Sequence, residues 1–204
     1  MNNKIPKPLF AKRKPIYGVA YLDIDTAYTC DEITEKACSV WRNMLLRCYC
    51  KSYTSRHPTY IGCTVCDEWL YFSNFKKWFE KNYIEGNHLD KDLLSPGNGK
   101  IYSPETCCFL PRQLNCTFLS RIQHLNKIKK GVSMTRYGKY AAFIHMYGKT
   151  KNLGHFDTAQ EAHLAYTNAR VGFIKELAIK FYRKNKITKR VYDALMKYKV
   201  EITD

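Results

Sequence analysis

No acidic residue occurs between Glu105 and Asp157. The same stretch carries Arg112, Arg121, Lys127, Lys129, Lys130, Arg136, Lys139, Lys149 and Lys151. A solvated protein face ordinarily mixes both signs, so a one-signed run points to a polyanion, nucleic acid foremost. Long apolar runs are lacking too. None approaches the ~18 residues of a membrane-spanning helix, which excludes that class of chain and predicts no membrane partner. The N-terminal residues Met1 to Lys7 lack the apolar core of a secretory signal, so the expected location is the cytoplasm.

The cysteines, at 30, 38, 48, 50, 63, 66, 107, 108 and 116, are odd in number, which argues against a disulfide scaffold in a chain with no secretory signal. Cys63 and Cys66 make a lone CxxC with no second pair to complete a zinc ribbon. Zinc is therefore not expected, and the thiols read as small buried hydrophobes in a reducing compartment. What the chain does have is enough apolar material for a core: 45% hydrophobic and 14% aromatic in 204 residues. This excludes a disordered chain and leaves room for one large domain or two small ones. Its net charge is +16, from 34 Lys plus Arg against 18 Asp plus Glu.

Residues 1–16 hold Lys4, Lys7, Lys12, Arg13 and Lys14 with three prolines and no acid, and read as a mobile basic arm. From Glu32 to Cys48 the spacing of Ala37, Val40, Trp41, Met44 and Cys48 predicts a helix. The segment Cys63 to Trp69 reads as partly extended. Ser73 is placed to cap a short helix whose Phe75, Trp78 and Phe79 serve the core. Residues His88 to Leu94 read as strand, Ser95 to Gly99 as turn, and Cys107 to Leu110 as an apolar strand. Pro111 then opens a helix running through Asn115. Strand, strand and helix make a ββα unit.

Residues 120–130 are polar and basic and read as a junction. Beyond it, Gly131 to Met134, Tyr140 to Met146 and Lys151 to Gly154 are short strands separated at Tyr137-Gly138 and Tyr147-Gly148. Thr158 and Glu161 form a capping box that starts a helix with Ala162, Ala165, Tyr166, Ala169 and Phe173 on one stripe. A final helix is expected from about Thr188 to Tyr198. The fold class predicted is α+β, with a three-stranded antiparallel sheet packed on one helix after a helical N-terminal domain. In the second strand Ala142, Ile144 and Met146 alternate with Phe143 and His145; whichever set packs on the helix leaves the other facing out. A twisted sheet of this kind can enter the major groove of DNA.

The ordered blocks Gly131-Val132, Tyr137 to Ile144 and Leu153 to Ala162, with Ala165 and Tyr166, resemble the Apetala/ethylene-response-factor DNA-binding domain. That domain occurs in plants and also in phage nucleases. The resemblance implies that outward sheet residues meet bases and phosphates, here Lys130, Ser133, Thr135, Tyr137, Lys139, Phe143, His145 and Asn152. The neighbouring cations Arg136 and Lys149 complete the candidate set. Ser133, Thr135 and His145 stand where the plant family usually has Arg, and Phe143 stands where it has an acid. Bidentate guanine contacts are thus mostly missing, and the plant target site does not transfer.

Residues 88–116 resemble the HNH (His-Me finger) unit of phage homing endonucleases, which binds one divalent ion and activates water with a His. Asp90 and Asn115 fall at the metal positions, so Mg or Mn is implied if the unit is active. Lys91 stands at the catalytic His position, where an ammonium is a poor general base. It could still neutralise a phosphate. His88, two residues before Asp90, is a substitute base or a structural residue. The Trp-rich stretch from Trp41 to Tyr49 and from Glu68 to Trp78 resembles phage proteins carrying both modules.

The domains expected are a basic arm 1–16, an HNH-like domain 17–119, a linker 120–130, an Apetala-like domain 131–178 and a helical extension 179–204. The leading expectation is a phage double-stranded-DNA-binding protein, acting in the bacterial host cytoplasm, whose HNH-like unit does not cleave. The alternatives are a metal-dependent nicking homing endonuclease and a host-directed interaction or counter-defence protein.

Overall fold

The computed structural model describes residues 14–24, 31–95, 99–118 and 129–199. The chain forms two compact units, Met1–Leu110 and Pro111–Asp204, and the class is α+β. In the first unit, helix α1 (Glu32–Tyr49) starts at Asp31, whose carboxylate accepts the Thr34 N–H at 2.6 Å. Its buried stripe is Ala37, Trp41, Met44 and Leu45, with Val40 and Cys48 half-buried beside it. Helix α2 (Lys51–Arg56), a 3-10 turn at Pro58–Tyr60, strand β1 (Thr64–Val65) and a second 3-10 turn at Asp67–Leu70 follow. Helix α3 (Phe72–Asn82) buries Phe72, Phe75 and Phe79, and Trp78 stacks on Phe109 at 5.4 Å. Trp41 Nε1 donates to the Trp69 carbonyl at 2.6 Å, so the indole is buried without an orphan donor.

Ser73 does not cap α3. The helix begins at Phe72, and the Ser73 N–H and hydroxyl both donate to the Asp23 carboxylate, at 2.8 and 2.5 Å. A full negative charge at the helix N-terminus satisfies those donors better than a hydroxyl in the same turn can. Asp23 is held there because Ala20 is buried, Ile16, Val19, Leu22 and Ile24 pack on the core, and Tyr21 stacks on Tyr71. The end of the predicted basic arm, at Ile16, is therefore anchored. Lys4, Lys7, Lys12 and Arg13 lie outside the described residues.

Strand β2 (Asn87–Asp90) pairs with β4 (Cys108–Pro111), and β3 (Ile101–Tyr102) pairs in parallel with β1. The lone CxxC thus flanks a ladder strand: the Cys66 N–H donates to the Tyr102 carbonyl at 2.9 Å. The strand expected to reach Leu94 stops at Asp90. Its Oδ1 accepts the N–H groups of Asp92 and Leu93, at 3.1 and 2.9 Å, and this Asx turn bends the chain out of the sheet.

In the second unit α4 (Arg112–Phe118) follows Pro111 directly. Strands β5 (Val132–Met134), β6 (Tyr140–Met146) and β7 (Lys149–Phe156) form an antiparallel sheet in that order. It packs on α5 (Ala159–Arg183), which opens with the predicted capping box, Thr158 Oγ1 accepting from Glu161 N at 3.2 Å. The core combines Ala142 and Ile144 of the sheet with Ala162, Tyr166, Phe173, Ile174 and Leu177 of α5. Ala165 and Ala169 are only half-buried.

The guanidinium of Arg170 on α5 donates to the Thr117 carbonyl at 2.6 Å and to Tyr166 Oη at 3.3 Å, which ties α4 to α5. Helix α5 runs past Ala178 to Arg183 and ends in a Schellman motif. Lys186 N donates to Phe181 O at 2.9 Å and Asn185 N to Tyr182 O at 3.0 Å, with Asn185 at φ 54°. Helix α6 (Lys189–Lys197), capped by Thr188, then buries Val191 and Leu195. Residues 119–128, most of the expected linker, lie outside the described residues. Among those described, no helix is long and apolar enough to cross a membrane.

Candidate nucleic-acid interface

Register decides which sheet residues share a face, since directly paired residues point the same way. The pairs Val132↔Ala142↔Gly154 and Ile144↔Lys151 belong to the side that packs on α5. The opposite side carries Ser133↔Ala141↔His155, Phe143↔Asn152 and His145↔Thr150. Ser133, His145, Thr150, Asn152 and His155 are exposed, Phe143 is half-buried and Ala141 is buried. The alternation of β6 thus resolves with Ala142 and Ile144 inward and Phe143 and His145 outward. Thr150 and His155 are additions to the candidate set. Each sits across the ladder from a β5 or β6 residue, a relation visible only once register is known.

A bulge gives β7 its shape. The register shifts between Ala142 and Phe143, which pair with Gly154 and Asn152 and leave Leu153 extra. Gly154 takes φ 129°, and its N–H donates to Asn152 Oδ1 at 2.8 Å. Asn152 therefore stays on the outer face with its oxygen committed to the bulge and its amide NH₂ to offer. His145 Nδ1 lies 3.3 Å from Thr150 Oγ1, which orients that imidazole.

At the β5–β6 turn, the Thr135 hydroxyl accepts from Lys139 N at 3.2 Å and its N–H donates to Lys139 O at 2.7 Å. Thr135 is thus spent on the turn. Arg136 lies over the ring of Tyr137, 4.7 Å from its centroid, and Tyr137 is 76% exposed. Lys139 meets Asp157 at 3.0 Å, so the segment without acids in sequence has one beside it in space. Both partners are exposed, and such a pair yields readily to a phosphate. Lys130 is half-buried, its pKa held below the ordinary ammonium value by burial and then by Arg170. Its carbonyl accepts from His163 Nδ1 at 3.0 Å. Lys149 is exposed at the start of β7 and pairs with Met146, which by the ladder's alternation puts it on the α5 side.

The sheet is about 10 Å across three strands, against a major groove about 12 Å wide. No protein-family model matches the chain, and neither a curated protein nor a solved structure is found to be similar to it.

The HNH-like positions fall in different units: His88, Asp90 and Lys91 in the first, Asn115 in the second. His88 is exposed and Asn115 is half-buried. Asp90 is buried, and burial raises its carboxyl pKa, with Asp92's charge adding to the rise and the Leu93 N–H opposing it. Lys91 is only 8% exposed. Its ammonium lies 2.5 Å from Asp92 Oδ1 and 5.8 Å from the centroid of the Tyr102 ring. It is engaged by its own chain rather than turned to solvent. Among the described residues no group of three or more His, Cys, Asp or Glu is placed to hold a metal ion. Burial pushes the Cys48 and Cys107 thiols up to about 12, so both stay protonated at neutral pH.

Proposed function

We propose that this chain binds double-stranded DNA, with the outer face of β5–β6–β7 laid in the major groove. One observation carries the reading. The exposed face presents Ser133, His145, Thr150, Asn152 and His155, all able to hydrogen-bond base edges, on strands that contain no carboxylate. Arg136 and Tyr137 at one turn flank that face with groups suited to phosphate, and Lys149 and Lys151, exposed on the α5 side of edge strand β7, add positive charge along its rim. The resemblance to the Apetala-type domain supports the same orientation. Without Arg at the sheet positions, base discrimination falls to hydroxyl, imidazole and amide groups, and the target differs from the plant family's.

Cleavage is not part of the proposed function. Lys91 is buried against Asp92 and Tyr102, and one oxygen of Asp90 is bound to its own turn. The ββα segment reads as a scaffold.

Asn152→Asp tests the interface with little effect on the fold. The aspartate keeps the oxygen that accepts from Gly154 and adds one negative charge to the groove face. Duplex affinity, followed by fluorescence anisotropy at ~50 mM salt, should fall by about tenfold or more, since an unscreened carboxylate meets the phosphate field. The melting temperature should stay put. Wild-type affinity in this variant would remove the outer face from the interface.

A further inference from the structure

Beyond the sheet, the end of α5 holds cations that the proposed groove contact does not use. Lys180 and Arg183, three residues apart on one face of α5, and Lys184 at its C-cap are exposed and gather positive charge at the helix end. No acid lies between Glu176 and Asp193. The patch is fixed at both ends. On the C-terminal side the Schellman motif at Asn185 sets the direction of the chain. On the other side Lys180 Nζ sits over the Tyr147 ring, 5.1 Å from its centroid.

Tyr147 places that patch relative to the sheet. Tyr147 and Gly148 are the two loop residues of the β6–β7 hairpin, both left-handed at φ 50° and 77°, as a type I′ turn requires. Tyrosine is disfavoured there, and three contacts hold it. Its ring is edge-on to Phe173 at 5.1 Å, its hydroxyl donates to Glu176 Oε1 at 2.7 Å, and Lys180 covers its ring. The turn is thereby clamped to the second half of α5, next to the cation patch. Lys149 and Lys151 follow the turn on edge strand β7, exposed and on the ladder parity that faces α5. A basic flank therefore runs from the sheet edge around the turn to the helix end. Lys189, farther along, is held by both carboxylate oxygens of Asp193, at 2.5 and 2.6 Å, and is not counted in it.

We infer that this flank is a second DNA contact, made by Lys180, Arg183 and Lys184 on the phosphates of duplex lying outside the segment gripped by the sheet. The contact carries no sequence information and lengthens the site. The inference rests on the reading of the sheet as a groove binder. A simpler role for these cations is to complement the negative end of the α5 dipole, and the experiment separates the two.

The variant Arg183→Gln/Lys184→Gln removes two charges, keeps good helix formers and leaves Lys180 on Tyr147. Affinity is measured by fluorescence anisotropy for the full chain on a ~10 bp and a ~30 bp duplex at several salt concentrations. On the long duplex the log–log salt slope should shrink by about 1.8, or 0.9 for each lost phosphate contact. On the short duplex affinity should change less than about twofold, because the flank then has no phosphate to meet. An unchanged slope and affinity on the long duplex, with both duplexes still bound, overturns the flank contact and leaves the sheet reading standing. A lower melting temperature with unchanged slopes assigns the cations to the helix dipole and likewise overturns it. Failure of the wild-type chain to bind either duplex overturns the sheet reading and the flank with it. Should the double variant not fold, Arg183→Gln alone is read the same way, with an expected slope change of about 0.9.

Discussion

Asp90 shows how one side chain can carry two incompatible readings. Its position in the ββα resemblance makes it a metal carboxylate, while its geometry makes it the acceptor that turns the chain at Asp92 and Leu93. Burial raises its pKa from the ordinary 3.8, so the folded state holds the proton more tightly than the unfolded chain does. Such a group contributes stability below its unfolded pKa, and that contribution is lost as pH rises through the folded value. Asn keeps the turn's acceptor oxygen and has no charge to bury. Asp90→Asn should therefore gain in melting temperature relative to the wild type as pH is raised from about 4 to 7, on the linkage argument. A variant that loses ground toward neutral pH would mean that the charged carboxylate is what the fold, or a metal, needs. The same account has the wild-type chain leave supercoiled plasmid intact in Mg²⁺ or Mn²⁺. At this scale the sequence located Asp90 and Lys91, but their contacts depend on a bend and on Tyr102, neither of which local spacing encodes.

Elements were most legible where periodicity and caps agree. The three strands of the C-terminal sheet, the capping box at Thr158 and the α6 start at Thr188 follow from alternation, Gly-containing turns and hydroxyl caps. Less visible were the parallel pairing of β1 with β3, the bulge at Leu153 and the capping of α3 by Asp23, 50 residues upstream of Ser73. Each joins segments whose separation is set by the core. Gly131 links the two levels. It takes φ 79°, and a Cβ there would lie 2.1 Å from the Tyr166 ring, so the chain entering β5 lies directly on α5. Gly131→Ala combines left-handed strain with overpacking and should cost about 2–4 kcal/mol in chemical denaturation of the full chain. A loss within about 0.5 kcal/mol, the size of an ordinary surface substitution, would show that sheet and helix are not so closely joined at this point.

Across the whole molecule, a net charge of +16 over 204 residues sets the long-range field, and the fold decides where that field is useful. The first unit gathers the large aromatics, Trp41, Trp69, Phe72, Phe75 and Phe79, into a core of its own. The second gathers the acid-free strands into one sheet, with its apolar side on α5 and its polar side outward. Charge distribution in the sequence raises the expectation of a polyanionic partner, but does not say which face would meet it. Lys139 beside Asp157 shows that a gap in sequence is not a gap in space. The most direct measurement is the affinity of the full chain for a duplex titrated from ~50 to ~200 mM salt. The account predicts a linear log–log dependence with a slope of about −3.6 or steeper, about −0.9 for each of Arg136, Lys139, Lys149 and Lys151. An affinity that does not change with salt, or no duplex binding at the low end of that range, would contradict it.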